Sequence, residues 1–305
     1  LHLKVLLANG EQLQYKYLDT VRVQELVDAL KERLSLSLNV FFLCELKEET
    51  KQPVRFFNNT RTLHQEKITD STLLGFRMQW YAPLVQKQDP KTVEYVYWCL
   101  KSSMIQDAFP VERKVACGMA AFDMQMNIGV YQPEETQTLD ISQYANSLVL
   151  SNYGAPNIRR MACGIHQRIS TKTDIDYLRL NFVEVATKAH AFSGTLFEGF
   201  ISGKKVRVAV VHDGFIVYLS DMIEDLQFHS ILDIKNVYAT NDAAVIVFTN
   251  NKQIQLKTGR PDTFVALLSG YFFLNGQQST DIERPAGLQF VEGSGVFDFS
   301  KQRSE

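Results

Sequence analysis

The segment of this chain that comes nearest to a phosphate-binding loop runs from Gly199 through Gly203 to Lys204 and Lys205. A phosphate loop needs four residues between its glycines and a hydroxyl residue after its lysine. Here the glycines are one residue too close, and Lys205 stands where the hydroxyl residue would be. The alternating pattern around the segment also predicts a hairpin, not a strand followed by a helix. The sequence therefore predicts no nucleotide site at this point.

Other catalytic patterns are equally weak. The chain has neither a nucleophile-elbow motif nor a zinc-protease motif. His212 beside Asp213 and His229 beside Ser230 are the closest candidates for catalytic dyads, and we interpret both as solvated turn residues. Asp123 is predicted to lie on the solvated face of a helix. The four cysteines lie far apart, without the paired spacing of a zinc site or a disulfide framework, which fits a reducing compartment; they are Cys44, Cys99, Cys117 and Cys163. We therefore predict no enzyme activity, no cofactor and no metal.

Basic residues form two clusters that could meet an acidic partner. The first holds four cations with no acid among them, namely Arg159, Arg160, Arg168 and Lys172, together with His166. The second crowds a predicted hairpin and consists of Lys204, Lys205 and Arg207. Because the net charge is −2, any attraction to an anionic surface must come from such local patches. The alternative for each cluster is an ordinary solvated surface, and no motif for binding nucleic acid is present.

Length and composition set the organisation that must position these residues. The 305 residues are too many for one small domain, so two or three compact lobes are expected. The proportions of hydrophobic residues (45%) and charged residues (22%) are those of a soluble globular protein. No apolar run approaches the roughly 18 residues that a membrane span needs. We expect an intracellular protein without a signal peptide, and the leucine at position 1 suggests an excised segment.

The first eighty residues predict a hairpin, a helix and further strands. Residues 1–7 alternate, Asn9-Gly10 favours a tight turn, and residues 13–17 alternate again. Apolar residues at helical spacing follow over 23–34, after Asp19 and Thr20 as possible caps. Further strands are predicted at 39–45, 54–57 and 76–80. This order is that of a ubiquitin-like fold.

Residues from about 84 to 190 predict a small helical bundle. Asp89-Pro90 precedes a helical stripe over residues 93–104, and a second stripe runs from 111 to Gly129. A polar stretch with turn residues at 153–156 follows. A last helix is then expected after Thr173 or Asp174, with an apolar inner face. No strand interrupts the region.

From residue 195 the hydrophobic period returns to two. Turn residues separate seven predicted strands, at 196–201, 205–211, 215–220, 226–229, 234–240, 245–249 and 253–257. Arg260-Pro261-Asp262 then begins a final helix. Seven antiparallel strands closed by one helix predict a sandwich of the PH/PTB type.

The order of these regions, over about residues 1–275, resembles the FERM domain of the band 4.1, ezrin, radixin and moesin family. Four segments are similar to family motifs: Phe41 to Leu46, Tyr177 to Leu180, Ser193 to Phe200, and Leu267 to Phe272, the last as in the focal-adhesion-kinase and Janus-kinase branches. The resemblance implies an α+β protein with a ubiquitin-like lobe at 1–83, a bundle like acyl-CoA-binding protein at 84–190 and a PH/PTB-like lobe at 193–275. It implies that the lobes pack as a cloverleaf. The subfamily is not assigned.

The resemblance also implies a function. FERM domains bind the cytoplasmic tails of membrane receptors, other adaptors and phosphoinositides, which places this chain in the cytoplasm at the plasma membrane or cell cortex. The expected peptide groove is lined by Ile234, Lys235, Asn236, Val237, Tyr238, Phe264 and Leu267. An extended tail would add a strand to the exposed edge of the fifth strand of the last lobe. The alternative for Val237, Phe264 and Leu267 is plain core packing.

Residues 276–305 do not fit the three lobes. Gly293-Ser294-Gly295 is typical of a flexible joint, and Val296, Phe297 and Phe299 follow it. We expect either a connector to a further domain or a segment that docks back into a groove and inhibits the module. Two alternatives to an adaptor stay open: a regulatory region of a larger tyrosine kinase or phosphatase, and a purely structural cortical linker.

Overall fold

The computed structural model describes residues 1–79, 89–105, 110–192, 194–219, 223, 225–276 and 297–298, without the side chains of 135–137, 273–276 and 297–298. Trp80, Ser193 and most of the tail lie outside these residues. The chain divides into two compact units, Leu1–Phe192 and Ser193–Glu305. Sheets and helices occur in separate stretches, so the predicted α+β class is confirmed. Within the described part of the chain, no helix is long and apolar enough to cross a membrane.

The first unit begins with a five-stranded sheet in the order β2-β1-β5-β3-β4. The strands are β1 (His2–Leu6), β2 (Gln12–Lys16), β3 (Phe41–Leu46), β4 (Pro53–Phe56) and β5 (Leu74–Met78). The predicted hairpin forms at Asn9-Gly10, where Gly10 has a φ of 88° that favours glycine. Helix α1 (Val23–Leu34) buries Leu26 and Leu30. It starts later than Asp19 and Thr20 suggested, because the Glu25 carboxylate accepts from the Arg22 N–H (3.3 Å).

A helical bundle completes the first unit. Its helices are α2 (Pro90–Ile105), α3 (Arg113–Ile128), α4 (Pro133–Thr138), α5 (Ser147–Tyr153), α6 (Ala155–Ile169) and α7 (Ile175–Ala186). The last helix starts at the predicted Asp174, whose carboxylate accepts from the backbone N–H groups of Asp176 and Tyr177. Sequence analysis missed α4 to α6. Gly154 ends α5 with a φ of 80°, and Pro156 then lies in the first turn of α6, where a missing N–H costs nothing.

The sheet and the bundle share one core within this unit. The Tyr95 hydroxyl on α2 donates to the Phe76 carbonyl of β5 (3.0 Å), and the Tyr95 ring meets Phe41 edge-on at 5.2 Å. Arg77, only 5% exposed, donates to the Leu6 carbonyl at 2.8 Å. A buried guanidinium costs free energy unless its donors are satisfied. The carbonyls of Leu6 and Phe76 both accept from Arg77 and satisfy part of this need. The two regions therefore fold as one compact body.

The second unit is built on an eight-stranded sheet in the order β13-β10-β11-β12-β6-β7-β8-β9. The strands are β6 (Thr195–Ile201), β7 (Lys204–Val211), β8 (Gly214–Tyr218), β9 (Leu226–Ser230), β10 (Ile234–Ala239), β11 (Ala243–Phe248), β12 (Gln253–Lys257) and β13 (Phe297–Asp298). All seven predicted strands are confirmed, with ends that differ by at most two residues, although Ser220, the predicted end of one strand, lies outside the described residues. Helix α8 (Pro261–Gly276) follows β12, as predicted.

The seam between the two halves of this sheet is narrow. Strands β12 and β6 share a single pair, Lys257 opposite Phe200. The neighbouring Gly199 allows it, because a Cβ at Gly199 would lie 2.3 Å from the Lys257 carbonyl oxygen. Only a residue without a side chain permits this close approach. The two halves of the sheet are therefore joined by one residue pair, and its end strands are β9 and β13.

Candidate peptide-binding edge

Strand β10 carries most of the residues predicted to bind a peptide. It follows a short 3₁₀ turn, Ile231–Asp233, in which the Ser230 hydroxyl accepts from the Leu232 N–H (3.2 Å). Its pairing with β11 shifts register between Ile234 and Asn236. This bulge adds Lys235 as an extra residue, and bulges of this kind re-aim side chains at the edges of sheets. The sequence gives little sign of it, because a bulge interrupts the alternation by one position only.

The outer edge of β10 is paired with the chain's own C-terminal segment. Strand β13 runs antiparallel to β10, with Phe297 opposite Val237 and Asp298 opposite Asn236. The edge that was predicted to accept a partner strand is therefore occupied at these two positions.

Three of the predicted groove residues lie in the core of the second unit. Val237 and Phe264 are fully buried and Leu267 is 2% exposed. The Phe264 ring packs edge-on against Phe197 at 5.3 Å and Phe215 at 6.0 Å. These are the core contacts that sequence analysis weighed as the alternative. No side-chain atom of Phe264 is free to form the wall of an open groove.

The remaining predicted residues of β10 differ in access. Ile234 is buried, Lys235 is exposed, and Asn236 and Tyr238 are half-buried. The Asn236 Oδ1 atom is shielded from solvent and has no hydrogen-bond partner among the described residues. An acceptor without a partner is costly, so a backbone N–H supplied by an added strand would be favourable at this edge. Lys235 and Asn236 are thus the polar groups that the edge presents.

The predicted basic hairpin is only partly brought together. Lys205 pairs across the hairpin with Phe200, and Lys204 pairs with Ile201, so the two lysines lie on opposite faces of the sheet. The Lys205 ammonium lies 3.9 Å from the Glu198 carboxylate, with both side chains about two-thirds exposed. Arg207 pairs with Glu198 across the ladder and shares the face of Lys205. One face of the hairpin therefore holds two cations and one acid.

The second basic cluster lies on and after helix α6. Arg160 and Arg168 are exposed, and each donates within its own helix, Arg168 to the Gly164 carbonyl at 3.1 Å. Arg159 is half-buried, and Lys172 lies 5.7 Å from the centre of the Tyr177 ring. At about 100° per residue, Arg159, Arg160 and Arg168 point in different directions around α6, and Lys172 lies beyond the C-terminal end of this helix.

His166, grouped with that cluster, is a core residue. Its ring is fully buried, Nε2 donates to the Gly129 carbonyl at 2.9 Å, and Tyr131 packs edge-on at 5.6 Å. Burial lowers the pKa of His166, and the hydrogen bond to Gly129 opposes the shift. His229 is also not the solvated residue that was predicted. It stacks on Phe215 at 4.7 Å, and burial lowers its pKa as well.

The stability of the protein should therefore fall with acid in the range where histidine titrates. Both folded-state pKa values lie below the unfolded value of about 6.5, so the unfolded chain binds protons first. The stabilisation is fully present above pH 6.5 and is lost as pH falls through the folded pKa values, with a slope of at most about 1.4 kcal/mol per pH unit for each histidine. We expect His166→Gln, which keeps a donor for Gly129, to flatten this slope in urea unfolding at pH 5 to 8. The matched control variant is His2→Gln, which removes a histidine at an exposed position.

Sequence analysis missed one polar cluster in the bundle. Asp123 was placed on a solvated face, but it is 0% exposed. Its Oδ1 atom accepts from the Tyr97 hydroxyl (2.5 Å), the Lys101 ammonium (2.8 Å) and the Asn127 amide (2.9 Å). The partners come from two helices, so the cluster ties α2 to α3. Its carboxylate is therefore held in place by three donors.

The described residues contain no group of histidine, cysteine and acidic side chains that could hold a metal ion. All four cysteines are free thiols, and three are buried. Burial raises the pKa of Cys44 to about 12 and that of Cys99 to about 11, so these thiols stay protonated near neutral pH. His212 lies 3.8 Å from Asp213, and both side chains are substantially exposed. Among the residues that the structure describes, no arrangement points to catalysis.

Comparison with known families finds a match in the helical region. Residues 83–197 match the FERM central domain. The mouse protein named FERM and PDZ domain-containing protein 1 is 22% identical over 225 residues, which are 64% of this chain and 14% of that relative. The chain thus spans about one seventh of the curated relatives it matches.

Two solved structures extend the similarity to nearly the whole chain. The FERM and C-terminal domain complex of Drosophila Merlin has a TM-score of 0.70 at 12% identity, covering 90% of this chain and 96% of that one. The C-terminal MyTH4-FERM domain of human myosin 7b, solved with the harmonin-a PDZ3 domain, also has a TM-score of 0.70, at 11% identity, and covers 91% of this chain and 60% of that one. At these identities the likeness shows the fold. Residues 83–197 are thus similar to the FERM central domain, and nearly the whole chain shares the fold of solved structures that contain FERM domains.

Proposed function

We propose that this chain is an adaptor module that binds an extended segment from the cytoplasmic tail of a membrane receptor or adaptor protein, at the edge of β10. The observation that carries the proposal is the pairing of β13 with β10, since an edge that accepts one strand can accept another by the same backbone hydrogen bonds. FERM-containing relatives support a role in binding proteins. Placement of the module in the cytoplasm at the plasma membrane or cortex, and packing of the lobes as a cloverleaf, belong to the same proposal.

The structure of Merlin offers a parallel, because it contains a FERM domain in complex with the C-terminal domain of that protein. In the present chain, the two-residue ladder between β10 and β13 is short. A short ladder leaves few hydrogen bonds to break, so an external strand of greater length can replace it. Binding would then exchange a resident strand for a partner strand.

Hydrogen exchange can test this mode of binding. Peptides from cytoplasmic tails of membrane receptors would be arrayed and probed with the full chain, and a bound peptide would be studied by exchange and mass spectrometry. We expect exchange to accelerate at Phe297 and Asp298, which are released, while β10 stays protected. Strand β9, the opposite edge of the sheet, serves as the internal control and should not change. Protection that appears at β9 or in the first unit, with β13 undisturbed, would contradict the proposal.

We also propose that the β6–β7 hairpin meets a phosphoinositide surface. Phe200 is 50% exposed and lies opposite Lys205 on one side and Lys257 on the other, which offers an apolar contact between two cations. Each cation near an anionic membrane contributes about 1 kcal/mol. We expect flotation with polyphosphoinositide liposomes that weakens with salt and falls with Lys204→Glu/Lys205→Glu. The matched control, Arg160→Glu/Arg168→Glu on α6, should float as the wild type does. If only this control loses flotation, the membrane-binding surface lies on the helical bundle and not on the hairpin.

A further inference from the structure

We propose that the β10 edge selects a ligand strand by two positions, an acidic residue opposite Asn236 and an aromatic residue opposite Val237. This inference rests on the proposed function and adds to it the chemistry of the partner. The resident strand supplies the pattern, since Asp298 and Phe297 occupy these two positions of the antiparallel ladder. The same pattern then predicts which cytoplasmic tails bind and which do not.

The acidic position follows from the bulge in β10. Because of the register shift, Lys235 and Asn236 together oppose Val247 of β11. Two residues that oppose one on the partner strand lie toward the same face of the sheet, so Lys235 flanks the ladder position opposite Asn236. Lys235 is exposed, and none of the described side chains forms an ion pair with it. An acidic residue at that position of a ligand strand would therefore lie beside Lys235 and form an ion pair with it.

The aromatic position follows from the other face of the strand. Val237 and Ile246, which pair with each other, are both fully buried on the side where α8 packs against β10. Residues directly opposite in an antiparallel ladder share a face, and pairs of an aromatic with a β-branched residue are favourable. A large apolar residue opposite Val237 therefore extends this buried layer. A small or polar residue would leave the layer open to water.

The resident strand also sets the strength of external binding. A segment attached to its own site acts at an effective concentration in the millimolar range when the linker is short and flexible. A peptide that binds the free edge with a dissociation constant near 0.1 mM would then bind the intact chain about tenfold more weakly or worse. Binding should therefore be detected most readily when the resident strand is removed by mutation.

The experiment uses a fluorescein-labelled peptide of residues 294–300 and the full chain, with binding followed by anisotropy. In the variant Phe297→Pro/Asp298→Pro, both N–H donors of the resident strand are absent, so the edge is free whatever its selectivity. We expect this opened chain to bind the peptide at least tenfold more tightly than the wild type. Against the opened chain, the peptide with serine in place of Phe297 should lose about tenfold in affinity, and the peptide with lysine in place of Asp298 about fivefold.

Charge exchange provides the decisive control. Lys235→Glu in the opened chain should weaken the native peptide about fivefold and should restore binding of the peptide that carries lysine at position 298. The proposed selectivity is wrong if the opened chain binds peptides without preference at either position. It is also wrong if the Lys235→Glu chain and the peptide with lysine at position 298 bind each other no better than either change alone allows. In both cases the β10 edge would still be the binding site. If the opened chain binds neither this peptide nor any arrayed tail at millimolar concentration, the proposed function is overturned together with the selectivity.

Discussion

Replacing Lys101 with methionine is expected to lower the free energy of unfolding of the first unit by about 3 kcal/mol. Lys101 is 16% exposed, and its ammonium is the cation nearest the fully buried Asp123 carboxylate, at 2.8 Å. Burial, and then the Asp123 carboxylate, raise the pKa of Tyr97, so its phenol stays protonated and donates to Asp123. Methionine keeps the packing of the lysine stem but leaves a buried carboxylate without its counter-ion. The Asp123 Oδ2 atom already has no partner among the described residues.

Urea unfolding followed by tryptophan fluorescence suits this test, because Trp98 packs against Tyr97 at 4.9 Å, beside the cluster. The matched control is Lys91→Met on the same helix. Its ammonium lies 3.2 Å from Glu94, but the Lys91 side chain is 69% exposed. An exposed ion pair is worth at most about 1 kcal/mol, so this control should change stability little. Equal small losses for both variants would mean that water reaches Asp123.

The elements that sequence analysis predicted well depend on neighbouring residues. The two-residue period and the turn at Asn9-Gly10 define β1 and β2, and Arg260-Pro261-Asp262 defines the start of α8. Helix α6 was missed because its buried positions include Ala162 and His166, which do not form an obvious apolar stripe. Its first turn also contains the proline that suggested a loop. Most of the helices and strands could therefore be predicted from local sequence patterns.

The candidate site depended on contacts between distant residues. Asp123 was misjudged because its partners Tyr97 and Lys101 lie 26 and 22 residues away on another helix. The tail was expected either to connect or to dock, and its register on β10 depends on residues some 60 positions earlier. Nothing in the alternation of β10 reveals that Lys235 forms a bulge. Selectivity at this edge could therefore be inferred only once the ladder was known.

Phe264→Ala is expected to destabilise the second unit by about 3–5 kcal/mol, because it opens a cavity among Phe197 and Phe215 at the centre of the core. Both tryptophans, Trp80 and Trp98, precede this unit, so their fluorescence does not report on it directly. Hydrogen exchange of β6 to β12 is the suitable measurement. We expect exchange of these strands to accelerate by about 150-fold to several-thousandfold, the factor that corresponds to the lost free energy when exchange follows global opening.

The same variant separates the two interpretations of Phe264. If Phe264 is a core residue, peptide binding by the opened chain should fall only in proportion to the unfolded fraction, and conditions that refold the second unit should restore it. Lys235→Glu should do the reverse and weaken binding without changing exchange. Phe228→Ala, at a side chain 45% exposed on the far edge strand, should affect neither, since such surface changes stay within about 0.5 kcal/mol. A Phe264→Ala protein with native exchange rates and no peptide binding would instead make Phe264 a wall of the groove, as the sequence first suggested.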